Sequence, residues 1–582
     1  MLSQSCLKRS SVSTLSSVFK KRVDLSPQKE AFRFFNSEKK QWQSITWLNA
    51  YKNMLDVRDA LLKEAIQTGE RIVLVMDNSP TWIYIEQAAL YMNLVVVALP
   101  PSLLADNICQ IAEEVHAKMI FIESDSHWPA IALNPFVRGA GISVVCHQRH
   151  KNTKSARYFS DWIKAKKTRY ITSSTDNEMT ENSLATIIYT SGSCDKPKGV
   201  KHSHKNIINN AFACLARIDV NDRDKMLSVT PVSHCLERIA GYYVAIIAGA
   251  SITFPKLPGS ILENLADSKA TIIVTTPHQL SKAYKRFLGN LIFSSRLVEQ
   301  YLDYQLNTGK WRLSFLCWPI IRRRLERKAK KQLLHQLRFV ICGGASLSSN
   351  IIALSQLLNL PVLQGYGLTE AGGVVSANAI NQNMPHSVGK ALSNCELKIS
   401  DDHELLVKND SLMLGYWNEE KTKLLADNWL PTTDLARLEN DYLFIDGRKN
   451  RTIHLSTGEA VLPLPIERAL LKDNLFEHVM LAGENREKVY LLCQLNRNEW
   501  QAFRKKYANN EEKTFDDFTP RLKSILLLRI NLKLRTVPGH PRISLIYPSL
   551  EPWSVENGLL NAQGKINKQA VELFFSNDIA QD

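Results

Sequence analysis

The chain reads as an α/β protein. A large N-terminal part, made of two packed α/β subdomains and a small β-barrel-like subdomain, is followed by a smaller α+β C-terminal domain. Three observations predict this. From Arg71 onward short apolar runs alternate with longer stretches of helical period; the alternation resumes near residue 226; and 387–445 then changes to short alternating strands. With 582 residues the chain also exceeds a single core, which stops growing at roughly 250–300 residues.

Residues 12–25 carry an amphipathic helical pattern inside a Ser-rich, basic opening whose first 23 residues hold no acid. Such an opening also suits a transit peptide, but a first helix of the mature fold is the preferred reading. The first series then runs as strand 72–76, helix 80–91, strand 94–99, helix 106–116 and strand 119–123. Strands of that length joined by helices form a parallel sheet. A periodic segment over 206–217 leads to the second series at 226–229, 237–247, 251–254, 271–275, 337–342 and 362–365. Where two such sheets face each other, their strand ends form a ligand crevice. Between 387 and 445, Asp401-Asp402 and Asn409-Asp410 are turn signals between short strands. Lys449-Asn450-Arg451 is a charged, turn-prone link. The expected division is therefore 1–446, a link at 447–452, and 453–582.

Composition narrows the class. The ten cysteines form no CxxC pair and no His/Cys cluster, which argues against a disulfide framework or a zinc site and for a reducing, cytoplasmic setting. A formal charge of +16 favours anionic partners, while the lack of a stacking-aromatic or zinc-finger signature argues against nucleic acid. No run of 18 apolar residues is present to span a bilayer. The segment 310–338 sets Arg322, Arg323, Arg324, Arg327, Lys328, Lys330 and Lys331 beside Trp311, Phe315 and Trp318. It reads either as a basic amphipathic helix on an anionic membrane, a peripheral contact, or as a solvated helix whose aromatics enter the core.

The most informative run is 189–200, Tyr-Thr-Ser-Gly-Ser-Cys-Asp-Lys-Pro-Lys-Gly-Val. It leaves an apolar strand, passes through small residues and lysines, and leads to the periodic segment 206–217, an arrangement that offers backbone N–H and ammonium groups to an anion. It is no P-loop, since GK[ST] is missing and Gly564-Lys565 precedes Ile566. The run is similar to YTSGSTGxPKGV, with Cys194 in place of Thr and Asp195 in place of Gly. Further segments follow in order: Thr230 to Arg238 (TPVSHCLER), Thr276-Pro277-His278 with Lys282, Gly343 to Ser348 (GGASLS), Gln364 to Glu370 (QGYGLTE), Trp429 to Asp434 (WLPTTD), Gly447-Arg448-Lys449, and Glu556 to Leu560 (ENGLL) ahead of Gly564-Lys565. Together they make the chain resemble the adenylate-forming (AMP-binding) synthetases over nearly its whole length. The ER pair, QGYGLTE and ENGLL resemble the long-chain fatty acyl-CoA synthetase branch.

The resemblance implies an ATP- and Mg²⁺-dependent acid–thiol ligase that activates a medium- or long-chain fatty acid as acyl-AMP and passes it to coenzyme A. By it, Thr190, Ser191, Gly192, Ser193 and Lys198 hold the β- and γ-phosphates, and Glu370 and Thr190 serve Mg²⁺. Thr369 lies near the α-phosphate, and Tyr366, between Gly365 and Gly367, stacks on adenine. Asp434 and Arg448 take the ribose hydroxyls, a carboxylate acceptor and a forked donor. Gly343, Gly344 and Ala345 line the route of acyl chain and thiol, His234 stands beside the acyl pocket, and Lys565 arrives on the C-terminal domain to neutralise carboxylate and α-phosphate. Arg451 occupies the hinge position.

Three departures favour a catalytically impaired acyl- or nucleotide-binding descendant: Cys194, Asp195 and Thr433. A carboxylate about 4 Å from a phosphate charge costs roughly 4 kcal/mol at an effective dielectric of 20. Thr433 stands where the family pattern has Gly, which strains the backbone if φ is positive there. A third alternative keeps the enzyme but makes an acyl carrier protein the acceptor.

Overall fold

The computed structural model describes residues 6–581 apart from 38, 150–152, 154, 165–178, 191–196, 257–259, 290–322, 324–335, 346, 420–425, 458, 508–517, 536, 538–540 and 562–563. The basic segment 310–338 thus lies outside the described residues except for Arg323 and its last three positions. Among the described residues no helix is long and apolar enough to cross a membrane.

The first large sheet is centred on Arg71–Val75, with Val95–Leu99 and Ala117–Ser124 parallel on either side. Leu184–Thr190 and Ser143–Gln148 continue it in parallel. Lys198–Ser203 and then Gly415–Tyr416 close one edge antiparallel, and Arg157–Tyr158 closes the other. Every residue of Val95–Leu99 is buried, as a parallel strand covered on both faces requires. The second sheet runs in space through Lys390–Ala391, Gly373–Ala377, Val362–Leu368, Phe339–Cys342, Ile272–Thr275, Lys225–Ser228, Ser251–Thr253, Glu30–Asn36 and Gln41–Thr46. Its interior is parallel and both of its ends are antiparallel.

The helix Pro80–Tyr91 is expected from the sequence and begins for legible reasons. The Ser79 hydroxyl accepts from the Trp82 N–H, and Pro80 fills the first turn. It buries residues all round, including Glu86 and Gln87. Glu86 receives Arg238 from the opposite subdomain through Nε at 3.0 Å and Nη2 at 2.5 Å, while Arg238 Nη1 donates to Thr186 Oγ1 of the first sheet at 3.0 Å. Both charged side chains are shut off from water, at 2% and 0% exposure.

One expectation is corrected here. The segment 237–247 is not one α-helix but a π-helix, Glu237–Tyr243, followed by Val244–Ala248. The wider turn keeps Glu237 and Arg238 both inward, where each finds a polar partner. Residues 30–46, to which the periodicity assigns no element, form the hairpin Glu30–Asn36 and Gln41–Thr46, which adds to the second sheet by parallel pairing of Phe32 with Ile252. The opening helix is Leu15–Leu25, capped by Thr14. Its Arg22 is buried and donates to the carbonyls of Ile246 and Ile247 at 2.7 Å each; burial pushes this guanidinium down to about 10.

A four-stranded antiparallel sheet follows: Cys395–Ile399, Glu404–Asn409, Leu430–Glu439 and Tyr442–Arg448. Beyond the turn Lys449–Arg451, a three-stranded sheet, Phe476–Ala482, Tyr490–Leu495 and Leu545–Ser549, packs against helices that include Pro463–Leu470 and Pro520–Leu534. Trp500, Leu522, Leu526 and Ile530 centre its core.

Inside Leu430–Glu439, Thr433 stands at φ +61. A β-branched residue in the left-handed region is strained, and the position is held by its neighbours. The Thr433 N–H donates to Glu404 Oε1 at 2.8 Å, and the Thr432 hydroxyl donates to the Leu405 carbonyl at 2.8 Å. Glu404 Oε2 also accepts from Lys449 Nζ at 3.2 Å. Strain of this kind costs about 1–3 kcal/mol, and glycine gives back about 0.4–1 kcal/mol through the freedom of the unfolded chain. Thr433→Gly should therefore stabilise the protein by about 1 kcal/mol, seen as a higher urea midpoint at unchanged m. An unchanged or lowered midpoint would mean that Glu404 has relieved the strain.

Candidate active site

A cavity of about 650 Å³ opens between the carboxyl ends of the two large sheets and is closed from the far side by the C-terminal unit. The fold forces this, because the parallel strands of both sheets end there and their loops must turn into the gap. Thr190, Lys198, His234, Gly343, Gly344, Ala345, Gly365, Tyr366, Gly367, Thr369, Glu370, Arg448 and Lys565 all line it. Asp434 stands one layer behind, at 3% exposure, and is reached through Tyr366 and Arg448. Ser191, Gly192 and Ser193, with Cys194 and Asp195, lie outside the described residues.

The phosphate run is a hairpin and not the strand–loop–helix expected from sequence. Lys198–Ser203 returns antiparallel along Leu184–Thr190, with Thr190 opposite Lys198. The helix His204–Arg217 starts a full strand later, and a buried capping box occupies its N-terminus: Ser203 Oγ accepts from the Asn206 N–H at 3.2 Å, and Asn206 Oδ1 accepts from the Ser203 N–H at 2.9 Å. That helix end is therefore already capped. Lys198 donates to Glu419 Oε1 at 2.7 Å and sits over the Tyr416 ring. The Tyr416 hydroxyl in turn donates to Glu370 Oε1 at 3.0 Å. Tyr416 and Glu419 escape the sequence reading because a two-residue strand leaves no periodicity to detect.

Thr369 and Glu370 occupy the tight turn between Val362–Leu368 and Gly373–Ala377, fixed by the Gly372 N–H donating to the Thr369 carbonyl and the Met413 N–H donating to the Glu370 carbonyl. Gly367 allows that turn: a Cβ there would lie 1.9 Å from the Gly373 carbonyl oxygen. On the same strand the Tyr366 hydroxyl donates to Asp434 Oδ2 at 2.5 Å, and Arg448 Nε donates to Asp434 Oδ1 at 2.6 Å. Burial and the neighbouring Asp434 hold the Tyr366 phenol well above its ordinary range. Asp434 thus carries two donors that orient its carboxylate.

Lys565 enters from the C-terminal unit in a closed turn. Its N–H donates to Asn561 Oδ1 at 2.9 Å and its carbonyl accepts from the Asn561 N–H at 2.8 Å. Gly564 makes the approach possible, since a Cβ at its φ of +73 would lie 2.9 Å from the His278 ring. The Lys565 side chain still meets the cavity's water, yet the crowding walls and the positive charges of Arg448 and Arg451 push its ammonium down to about 8. Burial and Lys565 push His234 down to about 4, so its imidazole is neutral near pH 7. The remaining end of the cavity is apolar, lined by Ile218, Leu236, Ala240, Leu363, Val374 and Ala377.

Comparison with known proteins agrees with this architecture. The chain is 24% identical to the long-chain-fatty-acid–CoA ligase FadD15 of Mycobacterium bovis over 465 residues, covering 76% of each protein. It is 22% identical to the probable acyl-activating enzyme 16, chloroplastic, of Arabidopsis thaliana over 610 residues, 92% of this chain and 84% of the relative. Among solved structures, the anthranilate CoA ligase AuaEII in complex with anthranoyl-AMP superimposes with a TM-score of 0.73 at 16% identity, over 99% of this chain and 100% of that one. A Mycobacterium tuberculosis fatty acyl CoA synthetase superimposes with a TM-score of 0.65 at 19% identity, over 97% and 99%. The AMP-binding enzyme family matches residues 19–417, more than half of the length, and the chain belongs to that family.

Proposed function

We propose that the protein is an AMP-forming acid–thiol ligase that joins a medium- or long-chain fatty acid to coenzyme A through an acyl-adenylate. The observation that carries this reading is the convergence of Lys565, from the C-terminal unit, with Arg448, Glu370 and Thr369 on one cavity whose other end is apolar. The named activities of the FadD15 relative and the mycobacterial synthetase support the substrate class.

In the first half-reaction a fatty carboxylate oxygen attacks the α-phosphorus of ATP and the bond to pyrophosphate breaks. Lys565 brings one positive charge to both the carboxylate and the α-phosphate, and Arg448 with the doubly held Asp434 anchors the ribose. Such catalysis rests on positioning and fixed charge more than on proton transfer. Lys198 exchanges Glu419 for the outer phosphates. Mg²⁺ fits the oxygen donors present: Glu370 and Thr190 would offer it a carboxylate and a hydroxyl beside the nucleotide phosphates. When bound it offsets phosphate charge. In the second half-reaction the thiol sulfur of coenzyme A attacks the acyl carbonyl and AMP leaves. The turn Lys449–Arg451 is the hinge about which 453–582 moves to admit the thiol, and 1–446 forms the adenylation domain.

Pyrophosphate exchange across a panel of fatty acids tests the assignment; exchange with none of them, under conditions where the protein binds ATP, would overturn it in favour of a binding protein. Lys565→Ala should lower acyl-AMP formation by at least about a hundredfold, as loss of a transition-state charge partner does. Thioester formation from supplied acyl-AMP should be largely kept, and equal loss in both half-reactions would refute the role of the C-terminal lysine.

The ammonium at about 8 also sets a pH profile. Lys565 is charged below that value and neutral above it, so kcat/KM for adenylation, which reports the free enzyme, should fall tenfold per unit once pH passes about 8. Lys565→Arg, which does not titrate in this range, should abolish the fall even if its absolute rate is lower.

A further inference from the structure

Asn78 lies just beyond the strand Arg71–Val75 of the first sheet and next to the Ser79 cap of the helix Pro80–Tyr91. Its side chain reaches from the first subdomain to the second and makes four polar contacts there. Nδ2 lies within reach of the Ser228 carbonyl at 3.2 Å, Ser228 Oγ at 2.9 Å and the Thr230 carbonyl at 2.6 Å; Oδ1 accepts from the Val232 N–H at 2.8 Å. These partners bracket the loop 229–233 that delivers Thr230, Pro231 and His234 to the cavity wall. The far end of the network is equally fixed. The Ser228 hydroxyl donates to Glu237 Oε1 at 2.6 Å, and Glu237 begins the π-helix that holds the Arg238–Glu86 pair. Burial pushes Glu237 up to about 8, so near pH 7 it stays neutral within this network.

We propose that Asn78 is a positioning residue for acyl activation, which sets the loop bearing Thr230, Pro231 and His234 against the fatty carboxylate by clamping it to the opposite sheet. Three points favour positioning over general support. A single amide saturates both a donor and an acceptor on one short loop, so its removal leaves the Val232 N–H and the Thr230 carbonyl short of a partner together. The loop has no strand pairing of its own between Lys225–Ser228 and the π-helix, so the clamp supplies what a ladder would. The nucleotide side of the cavity, Thr190, Lys198, Thr369 and Glu370, is held by contacts that Asn78 does not share.

The kinetic part of the inference rests on the ligase reading above; the clamp itself is testable without it. Asn78→Asp keeps the acceptor for Val232 and the side-chain size but loses both N–H donors. Its kcat/KM for the fatty acid should fall about 10- to 100-fold, the scale of loss when a reacting group is misplaced by an ångström. KM for ATP should stay within about twofold, because only the acyl side is loosened. Hydrogen exchange at residues 229–234 should rise in Asn78→Ala, where the Val232 N–H loses its acceptor. Ser228→Ala, which cuts the link between Asn78 and Glu237, should lower the same kcat/KM, and its effect should not add to that of Asn78→Asp because the two share one network. If Asn78→Asp fails to fold, Ser228→Ala and the exchange measurement decide alone.

Wild-type fatty acid kinetics in the folded variants would overturn the proposal. So would equal loss towards ATP and fatty acid that tracks a lowered melting temperature, or unchanged exchange at 229–234. Absence of fatty-acid-dependent exchange in the wild type would instead strike the ligase reading and leave the hydrogen-exchange test of the clamp standing.

Discussion

The buried pair of Arg238 and Glu86 is the contact on which the rest of the molecule depends. It joins a π-helix of one subdomain to a helix of the other, and Arg238 reaches on to Thr186 in the first sheet. Removing either partner would strand an unpaired charge in the core, a loss of about 3–5 kcal/mol. The crevice exists because this pair sets the distance between two sheets whose loops turn into the gap. A hydrophobic contact of the same size would hold the sheets as firmly but would allow sliding, whereas a forked guanidinium with three engaged nitrogens fixes orientation.

Much of the fold was legible. The helix over 80–91 matches Pro80–Tyr91, the strand over 72–76 falls on Arg71–Val75, and the antiparallel region appears where the turn signals place it. These succeed because their periodicity is long and their caps are local. The failures have a common cause in distant partners. Lys198–Ser203 reads as loop because its lysines and histidine obscure the alternation, and only pairing with Leu184–Thr190 makes it a strand. The hairpin Glu30–Asn36 and Gln41–Thr46 finds its place through Ser251–Thr253, some two hundred residues on. The ER pair was visible as a motif, but the partner of Arg238 could not be read across 152 residues. The predicted site residues that the structure describes do gather on one cavity, with Asp434 one layer behind. What could not be read is how these groups pair with one another: Lys198 with Glu419, Arg448 with Asp434, Glu370 with Tyr416.

Those internal pairings shape the energetics of nucleotide binding. Each cation that would face a phosphate or the substrate carboxylate already has a carboxylate partner, or, in Lys565, a depressed affinity for its proton. Binding therefore exchanges partners and does not create charge pairs from nothing, and the net gain is the difference between two sets of contacts. The hairpin form of the phosphate run has the same tendency. On the ligase reading, with the N-terminus of His204–Arg217 capped and buried, side chains supply the attraction for the triphosphate.

The sheet margins bear on how this chain meets other copies of itself. Among the described residues, three of the four outer margins of the large sheets are strands of two residues, Gly415–Tyr416, Arg157–Tyr158 and Lys390–Ala391. So short a margin offers too few free backbone groups to recruit another chain. The fourth, Gln41–Thr46, is longer, but it holds two glutamines, carries Trp42 under the Arg33 guanidinium, and follows Lys39 and Lys40. Among the described residues, the seventeen strands of the two large sheets thus leave a single long margin able to template β-sheet growth, flanked by lysines, which limits how readily these two sheets recruit another copy while the chain folds.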